Sequence, residues 1–199
     1  MRAPRKTNPG VRGGKVQKKN WDGTTHNYWD HEPSEIVIER RRPGAGFRHF
    51  VTVDEIRRFT ALIPKWNEVS KGLRAIVFVP FNPFWYGRYN CEGILQVSAW
   101  PHELWLEVGK DNFERDKGLF ELLKIEIEDL PHGHLIKPSE GQVKAMQLLG
   151  TFLHELGHHV DRMNSRKRDN CHNGEPFALA YESEWRERLY PAYLREFKL

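Results

Sequence analysis

Apolar and polar residues alternate along several short segments, a pattern that predicts β-strands. EIVIER alternates from Glu35, and FRHFVTV is a second β-like run after the turn signal RRPGAG. LRAIVFVPF is an apolar, β-branched run that Pro80 ends, as is typical of a central strand. GILQVSAW, LWLEV and LLKIEIEDL alternate again. We interpret GILQVSAW either as an ordinary strand or as a candidate edge strand. LLKIEIEDL is either a strand or the end of a helix that begins near Phe113.

Two further segments carry apolar residues at helical spacing. TVDEIRRFTALIPKW predicts a helix with Thr52 as a candidate N-cap, and Pro64 interrupts the pattern. A longer helix is predicted to begin near Glu140, because Ser139 and Gln142 have the spacing of a capping box. Gly157 in this helix suggests a close backbone approach. The apolar stripe of the longer helix consists of Leu149, Phe152, Leu153, Leu156 and Val160.

The composition indicates one globular domain with a basic N-terminal tail. The chain has 199 residues, of which 39% are hydrophobic, so it can bury a core. Its net charge is +4, but the first twenty residues alone carry +7 and no acidic residue, which leaves −3 for residues 21–199. We expect residues 1–34 to be a disordered tail and residues 35–199 to form the domain. The tail is either a solvated leader or an arm for nucleic acid or another acidic surface, held through residues 1–20.

The sequence contains no segment that predicts a membrane span or a secretory signal. We therefore expect a cytoplasmic protein. The only two cysteines, Cys91 and Cys171, are too few for the disulfide framework of a small secreted protein. One disulfide between them is conceivable, and two free thiols are the preferred interpretation.

The segment LLGTFLHELGHHVDRM contains the main chemical signal. On a helix, His154 and His158 are one turn apart, so both imidazoles can coordinate one Zn²⁺ ion. Glu155 is rotated by about 100° from His154, so it can act on a water molecule without being a ligand. Zinc lowers the pKa of a coordinated water, and the carboxylate serves as general base. The alternative is a structural helix in which this spacing arose by chance.

The HELGH motif at 154–158 resembles the zincin metallopeptidases. This resemblance implies an α+β domain in which a twisted mixed sheet packs on a zinc-binding helix and a second helix carrying a glutamate. It also implies that an edge strand binds extended peptide and that a third ligand comes from downstream. The metzincin subclass is disfavoured, because its later motif positions are occupied here by Asp161 and Asn164.

Three downstream residues are candidates for the third zinc ligand. Glu175 begins the segment EPFA, which resembles the ExFA motif on the glutamate helix of gluzincins. Glu182 lies about 10 Å further along the same helix face, so one ion cannot easily bind both carboxylates. His172 would be the ligand if the chain followed the SprT-like proteases instead. Helix geometry leaves the two glutamates balanced, and the motif resemblance favours Glu175.

Several other polar residues lie near the motif. His159 should point away from the metal, since one residue turns a helix by about 100°. Asp161 is either a hydrogen-bond partner of the site or, as we prefer, a solvated acid at the helix end. Tyr181 and Tyr190 are candidate oxyanion donors, although packing is their commoner role. We expect His132 and His134 to lie in a loop and assign them no function.

The sequence thus predicts a zinc-dependent metallopeptidase. His154, His158 and Glu175 would bind one Zn²⁺, and Glu155 would activate water against a peptide carbonyl of a protein or peptide substrate. One alternative is a catalytically idle zincin fold that binds nucleic acid or a partner through its tail. Another is a structural zinc site whose fourth position is filled by Cys171 or His172.

Overall fold

The computed structural model describes residues 28–29, 32–165 and 173–198, and the backbone of two short N-terminal strands. The strands are β1 (Val11–Arg12), β2 (Lys15–Val16), β3 (Val37–Arg40), β4 (Phe47–Arg48), β5 (Ala75–Val79), β6 (Gly87–Asn90), β7 (Ile94–Ser98), β8 (Trp100–Pro101), β9 (Leu106–Gly109), β10 (Glu126–Leu130) and β11 (Gly133–Lys137). The helices are α1 (Val53–Leu62), α2 (Trp66–Val69), α3 (Lys110–Leu123), α4 (Glu140–Ala145), a π-helical segment (Met146–Phe152), α5 (Leu153–Asn164) and α6 (Gly174–Phe197). The fold is α+β.

The largest sheet is mixed and has the order β3-β5-β7-β6. β3, β5 and β7 are parallel, whereas β6 pairs with β7 in the antiparallel sense. All five residues of β5 are buried, as its apolar, β-branched sequence predicts for a central strand. β7 lies between β5 and β6, so GILQVSAW is an ordinary internal strand, and its alternative interpretation as an edge strand is wrong. The two edges are β3 and β6, and the sequence of β6, GRYN, lacks an alternating pattern.

A second sheet joins three antiparallel strands in the order β10-β11-β9, and β4 pairs with β8 separately. The segment LLKIEIEDL contains both the helix end and the strand that its pattern allowed. Helix α3 ends at Leu123, and β10 begins at Glu126. The loop predicted around the HGH segment is shorter than expected. His134 lies in β11, and only His132 is in the turn.

Both predicted helix starts are confirmed by their caps. The Thr52 hydroxyl accepts a hydrogen bond from the Glu55 backbone N–H, and Glu55 bonds back to Thr52. Ser139 and Gln142 make the predicted capping box at the start of α4. From there α4, the π-helical segment and α5 follow one another without a break in helical backbone angles. The wider π turns were not predicted, and such segments often lie at functional sites.

The close approach predicted at Gly157 is confirmed. A Cβ atom on Gly157 would lie 2.9 Å from the Ala178 Cα and 3.2 Å from the Ala178 carbonyl oxygen. Helices α5 and α6 therefore pack backbone to backbone at this point. The apolar stripe of the long helix faces the core, where Leu149, Phe152, Leu153 and Leu156 are completely buried.

Most of the predicted N-terminal tail lies outside the described residues, so its disorder stays a prediction. Tyr28 is an exception, because it is buried and its hydroxyl donates a 2.5 Å hydrogen bond to Glu39 in β3. Within the described ranges, every helix is too short or too polar to cross a membrane.

Candidate metal centre

Helix α5 places the two motif histidines side by side at the surface of the domain. The rings of His154 and His158 meet edge to face, with centroids 4.9 Å apart. Their side chains are only 17% and 14% exposed. Each Nε2 atom points towards helix α6, which packs against α5 around Gly157 and Ala178.

Glu175, at the start of α6, faces both histidines. Its Oε2 atom lies 3.2 Å from His154 Nε2, and its Oε1 atom lies 3.3 Å from His158 Nε2. One ligand atom from each of the three residues lies within 4.8 Å of the others. Two ligands of a tetrahedral zinc ion at about 2.0 to 2.1 Å would be about 3.3 to 3.4 Å apart. The two contacts involve different oxygens of the Glu175 carboxylate, and both exceed the roughly 2.7 to 2.9 Å of a charge-assisted hydrogen bond.

Glu182 approaches the opposite side of the His154 ring. Its Oε2 atom lies 3.6 Å from His154 Nδ1, which is an ion-pair distance longer than a hydrogen bond. Its Oε1 atom accepts a 2.6 Å hydrogen bond from Arg186. The two glutamates thus occupy different positions: Glu175 faces the Nε2 atoms of both histidines, and Glu182 lies on the Nδ1 side of the His154 ring, where the partners of metal-binding histidines commonly lie.

Asp161 fixes the start of α6, and it is not the solvated acid that we preferred from sequence. Asp161 is only 1% exposed. Its Oδ2 atom accepts hydrogen bonds from the backbone N–H groups of Asn173 (2.8 Å) and Gly174 (2.9 Å). Its Oδ1 atom accepts a third bond from the Asn173 side chain at 2.7 Å. Asp161 therefore anchors the residues that immediately precede Glu175.

Glu155 lies beside the histidines and beneath the edge strand. It is 6% exposed, and its carboxylate accepts a hydrogen bond from the backbone N–H of Tyr89 in β6. Burial is the largest of the effects that raise the pKa of Glu155 to about 7; the charge of Glu175 adds to it, and the charge of His154 opposes it. A carboxyl group that titrates near neutral pH suits a general base.

The surroundings shift the pKa values of the two histidines in opposite directions. Burial lowers the pKa of His154, but the neighbouring carboxylates of Glu182, Glu155 and Glu175 outweigh it and raise that pKa overall. Burial and the charge of His154 lower the pKa of His158. A neutral imidazole is the form that binds a metal, so His158 is already disposed to ligate.

A cavity of about 270 Å³ opens next to these residues. Its wall includes His154, Glu155 and Glu175 from the site, and Arg115 and Asp116 from α3. Six buried apolar residues also line the cavity: Trp100, Val108, Leu119, Phe120, Ile136 and Met146. The arrangement leaves space for a substrate beside the candidate ligands, which a closed structural zinc site does not require.

The remaining residues singled out from sequence lie elsewhere. His159 is completely buried, and its Nδ1 atom lies 3.0 Å from the Tyr89 hydroxyl, in agreement with the prediction that it points away from the site. Tyr190 donates a hydrogen bond to the Leu122 carbonyl, and Tyr181 stacks on Phe177. Neither tyrosine is among the described residues that line the cavity, so the oxyanion role gains no support.

His172 and Cys171 lie outside the described residues, so their roles as alternative ligands stay predictions. Cys91 is exposed. Sequence reasoning missed Tyr89 and Gly87, whose contacts to Glu155 depend on strand pairing. The glycine at the start of the GRYN segment was the one available signal, since a glycine in a strand can mark a close approach.

Comparisons of the chain with protein-family models, with curated proteins and with solved structures found no match.

Proposed function

We propose that this protein is a zinc-dependent peptide hydrolase with a zincin-like domain. The supporting observation is the convergence of His154 Nε2, His158 Nε2 and the Glu175 carboxylate, with Glu155 next to them. Two imidazoles and one carboxylate form a donor set that zinc accepts, and three protein ligands leave one position for water or substrate.

When bound, zinc would polarise the substrate carbonyl and lower the pKa of a water molecule. Glu155 would take a proton from the attacking water and pass it to the nitrogen of the leaving amine as the peptide C–N bond breaks. Glu182 would hold the His154 ring, and Asp161 would hold the start of the helix that carries Glu175. The roles of Glu182 and Asp161 use contacts present in the described residues.

Strand β6 supports an extended peptide as the substrate. It is an edge of the main sheet and lies directly over Glu155. An edge strand offers unpaired backbone groups to which another extended chain can add. The cavity next to His154 would receive one substrate side chain.

A structural zinc site and a catalytically idle fold remain the rival proposals. The cavity beside the candidate ligands favours a catalytic site over a closed structural one. Binding of nucleic acid by residues 1–20 is a separate proposal that the described residues do not bear on, and it could coexist with hydrolysis.

The deciding experiment measures hydrolysis of an unstructured fluorogenic peptide by wild-type protein and by Glu155→Gln. The variant should retain one zinc per chain and lose at least about 100-fold in kcat, because it cannot accept the proton. Glu184→Gln is a matched control, since Glu184 is 55% exposed and pairs only with Arg188 among the described residues. Equal rates for the wild type and Glu155→Gln would contradict the proposal.

A further inference from the structure

Two residues of strand β6, Gly87 and Tyr89, contact the candidate general base Glu155. The Glu155 carboxylate accepts a hydrogen bond from the Tyr89 backbone N–H. A Cβ atom placed on Gly87 would lie 2.6 Å from Glu155 Oε1 and 2.8 Å from Glu155 Cγ. The same Cβ would lie 2.5 Å from Thr151 Cγ2, on the helical turn before the motif. Only a residue without a side chain fits at position 87.

The pairing pattern of β6 explains why these two residues face Glu155. The Tyr86 carbonyl accepts a 2.8 Å hydrogen bond from the N–H of Ser98, the last residue of β7, so the backbone groups at 86 point into the sheet. Backbone direction alternates along an antiparallel edge strand, so the groups of Gly87 and Tyr89 point outwards. An outward N–H on an edge strand normally bonds to water. Here the Tyr89 N–H bonds to a buried carboxylate instead.

The Tyr89 side chain attaches the strand to the same helix at a second place. Its hydroxyl lies 3.0 Å from His159 Nδ1 and accepts a 3.0 Å hydrogen bond from Arg162 Nη1. His159 and Arg162 belong to α5, as does Glu155. The edge strand is therefore fixed to the motif helix through both the backbone and the side chain of one residue.

The structure assigns Gly87 and Tyr89 as positioning residues for Glu155. This inference rests on the proposed function, in which Glu155 is the general base. Gly87 leaves the space that the carboxylate occupies, and the Tyr89 N–H fixes its rotamer against the strand. A second consequence concerns substrate binding: an extended peptide that adds to β6 pairs with Gly87, because Glu155 already occupies the N–H of Tyr89.

Amide hydrogen exchange tests this contact without any activity measurement. In metal-free wild-type protein, the Tyr89 amide should exchange slowly despite its outward position. Glu155→Ala and Gly87→Ala should each accelerate its exchange by about tenfold or more, as expected when one hydrogen bond to a charged group is lost. Unchanged protection of Tyr89 in Glu155→Ala would overturn the inference.

Kinetics of Gly87→Ala provide the second test. Its kcat should fall by about 100-fold, which is the scale expected when a reacting group is displaced by about 1 Å, while its zinc content stays at one per chain and KM changes little. Gly109→Ala is the matched control, because a Cβ there would meet no atom within 4 Å, and it should behave as wild type.

The outcomes separate this inference from the proposed function. Zinc-free, inactive wild-type protein with a protected Tyr89 amide would remove the proposed function and leave the contact intact. If the wild type is active and Gly87→Ala has the same kcat, the positioning role alone is overturned.

Discussion

The substitution Asp161→Ala tests whether the anchor at the start of α6 determines the geometry of the site. The Asp161 carboxylate accepts three hydrogen bonds of 2.7 to 2.9 Å from Asn173 and Gly174, and the residue is 1% exposed. Hydrogen bonds to a charged group contribute about 1.5 to 3 kcal/mol each, but Asn173 is exposed, so water can replace part of the loss. We expect Asp161→Ala to lower the free energy of unfolding by about 2 to 4 kcal/mol.

The same substitution should weaken zinc binding, because Glu175 directly follows the anchored residues. Loss of a residue that orients a metal ligand typically costs about 10- to 100-fold in affinity. Urea unfolding of the metal-free protein measures the first effect, and competition with a chromophoric zinc chelator measures the second. Asp129→Ala is the control, because its side chain is 90% exposed and it should change neither value appreciably. Wild-type zinc affinity in Asp161→Ala would refute the anchoring argument.

Three further predictions concern packing, pH and the second glutamate. Gly157→Ala should lower the free energy of unfolding by about 1 to 3 kcal/mol in urea titrations, because the new Cβ would lie 2.9 Å from the Ala178 Cα. A variant as stable as the wild type would show that α6 can move away from α5. Burial lowers the pKa of His49 to about 4, so His49 takes up a proton at a higher pH in the unfolded chain than in the folded one. The free energy of unfolding should therefore fall by about 3 kcal/mol as the pH is lowered from 6.5 to 4. Urea titrations at stepped pH measure this fall, and it should be smaller in His49→Gln. Glu182→Gln should reduce zinc affinity by about 10- to 100-fold while Glu175→Ala abolishes binding, and calorimetry showing the reverse order would make Glu182 the ligand.

The elements that carry the site were predictable from local sequence. The capping box at Ser139 and Gln142 located the start of the long helix, and its apolar stripe identified the buried face. The step of four between His154 and His158 then placed both rings on one side of α5. These features depend on residues within one or two helical turns of each other, which is why sequence alone indicated them.

The relations between distant elements were not predictable in the same way. The edge strand was misassigned because GRYN has no apolar alternation, whereas strand order depends on pairing between segments far apart in the chain. The burial of Asp161 results from the packing of α6 after a loop, and nothing near Asp161 in sequence signals it. Helical spacing separated Glu175 from Glu182 along one axis, but it did not reveal that the two approach His154 from opposite sides.

The most direct test of the central claim is the zinc content of the purified, zinc-saturated and dialysed chain, measured by plasma mass spectrometry beside His154→Ala and Glu175→Ala. The account predicts one zinc per wild-type chain, and loss of that zinc in both variants while each remains folded by circular dichroism. Wild-type protein that retains no zinc, or folded variants that retain one equivalent, would contradict the assignment of His154, His158 and Glu175 as the metal centre.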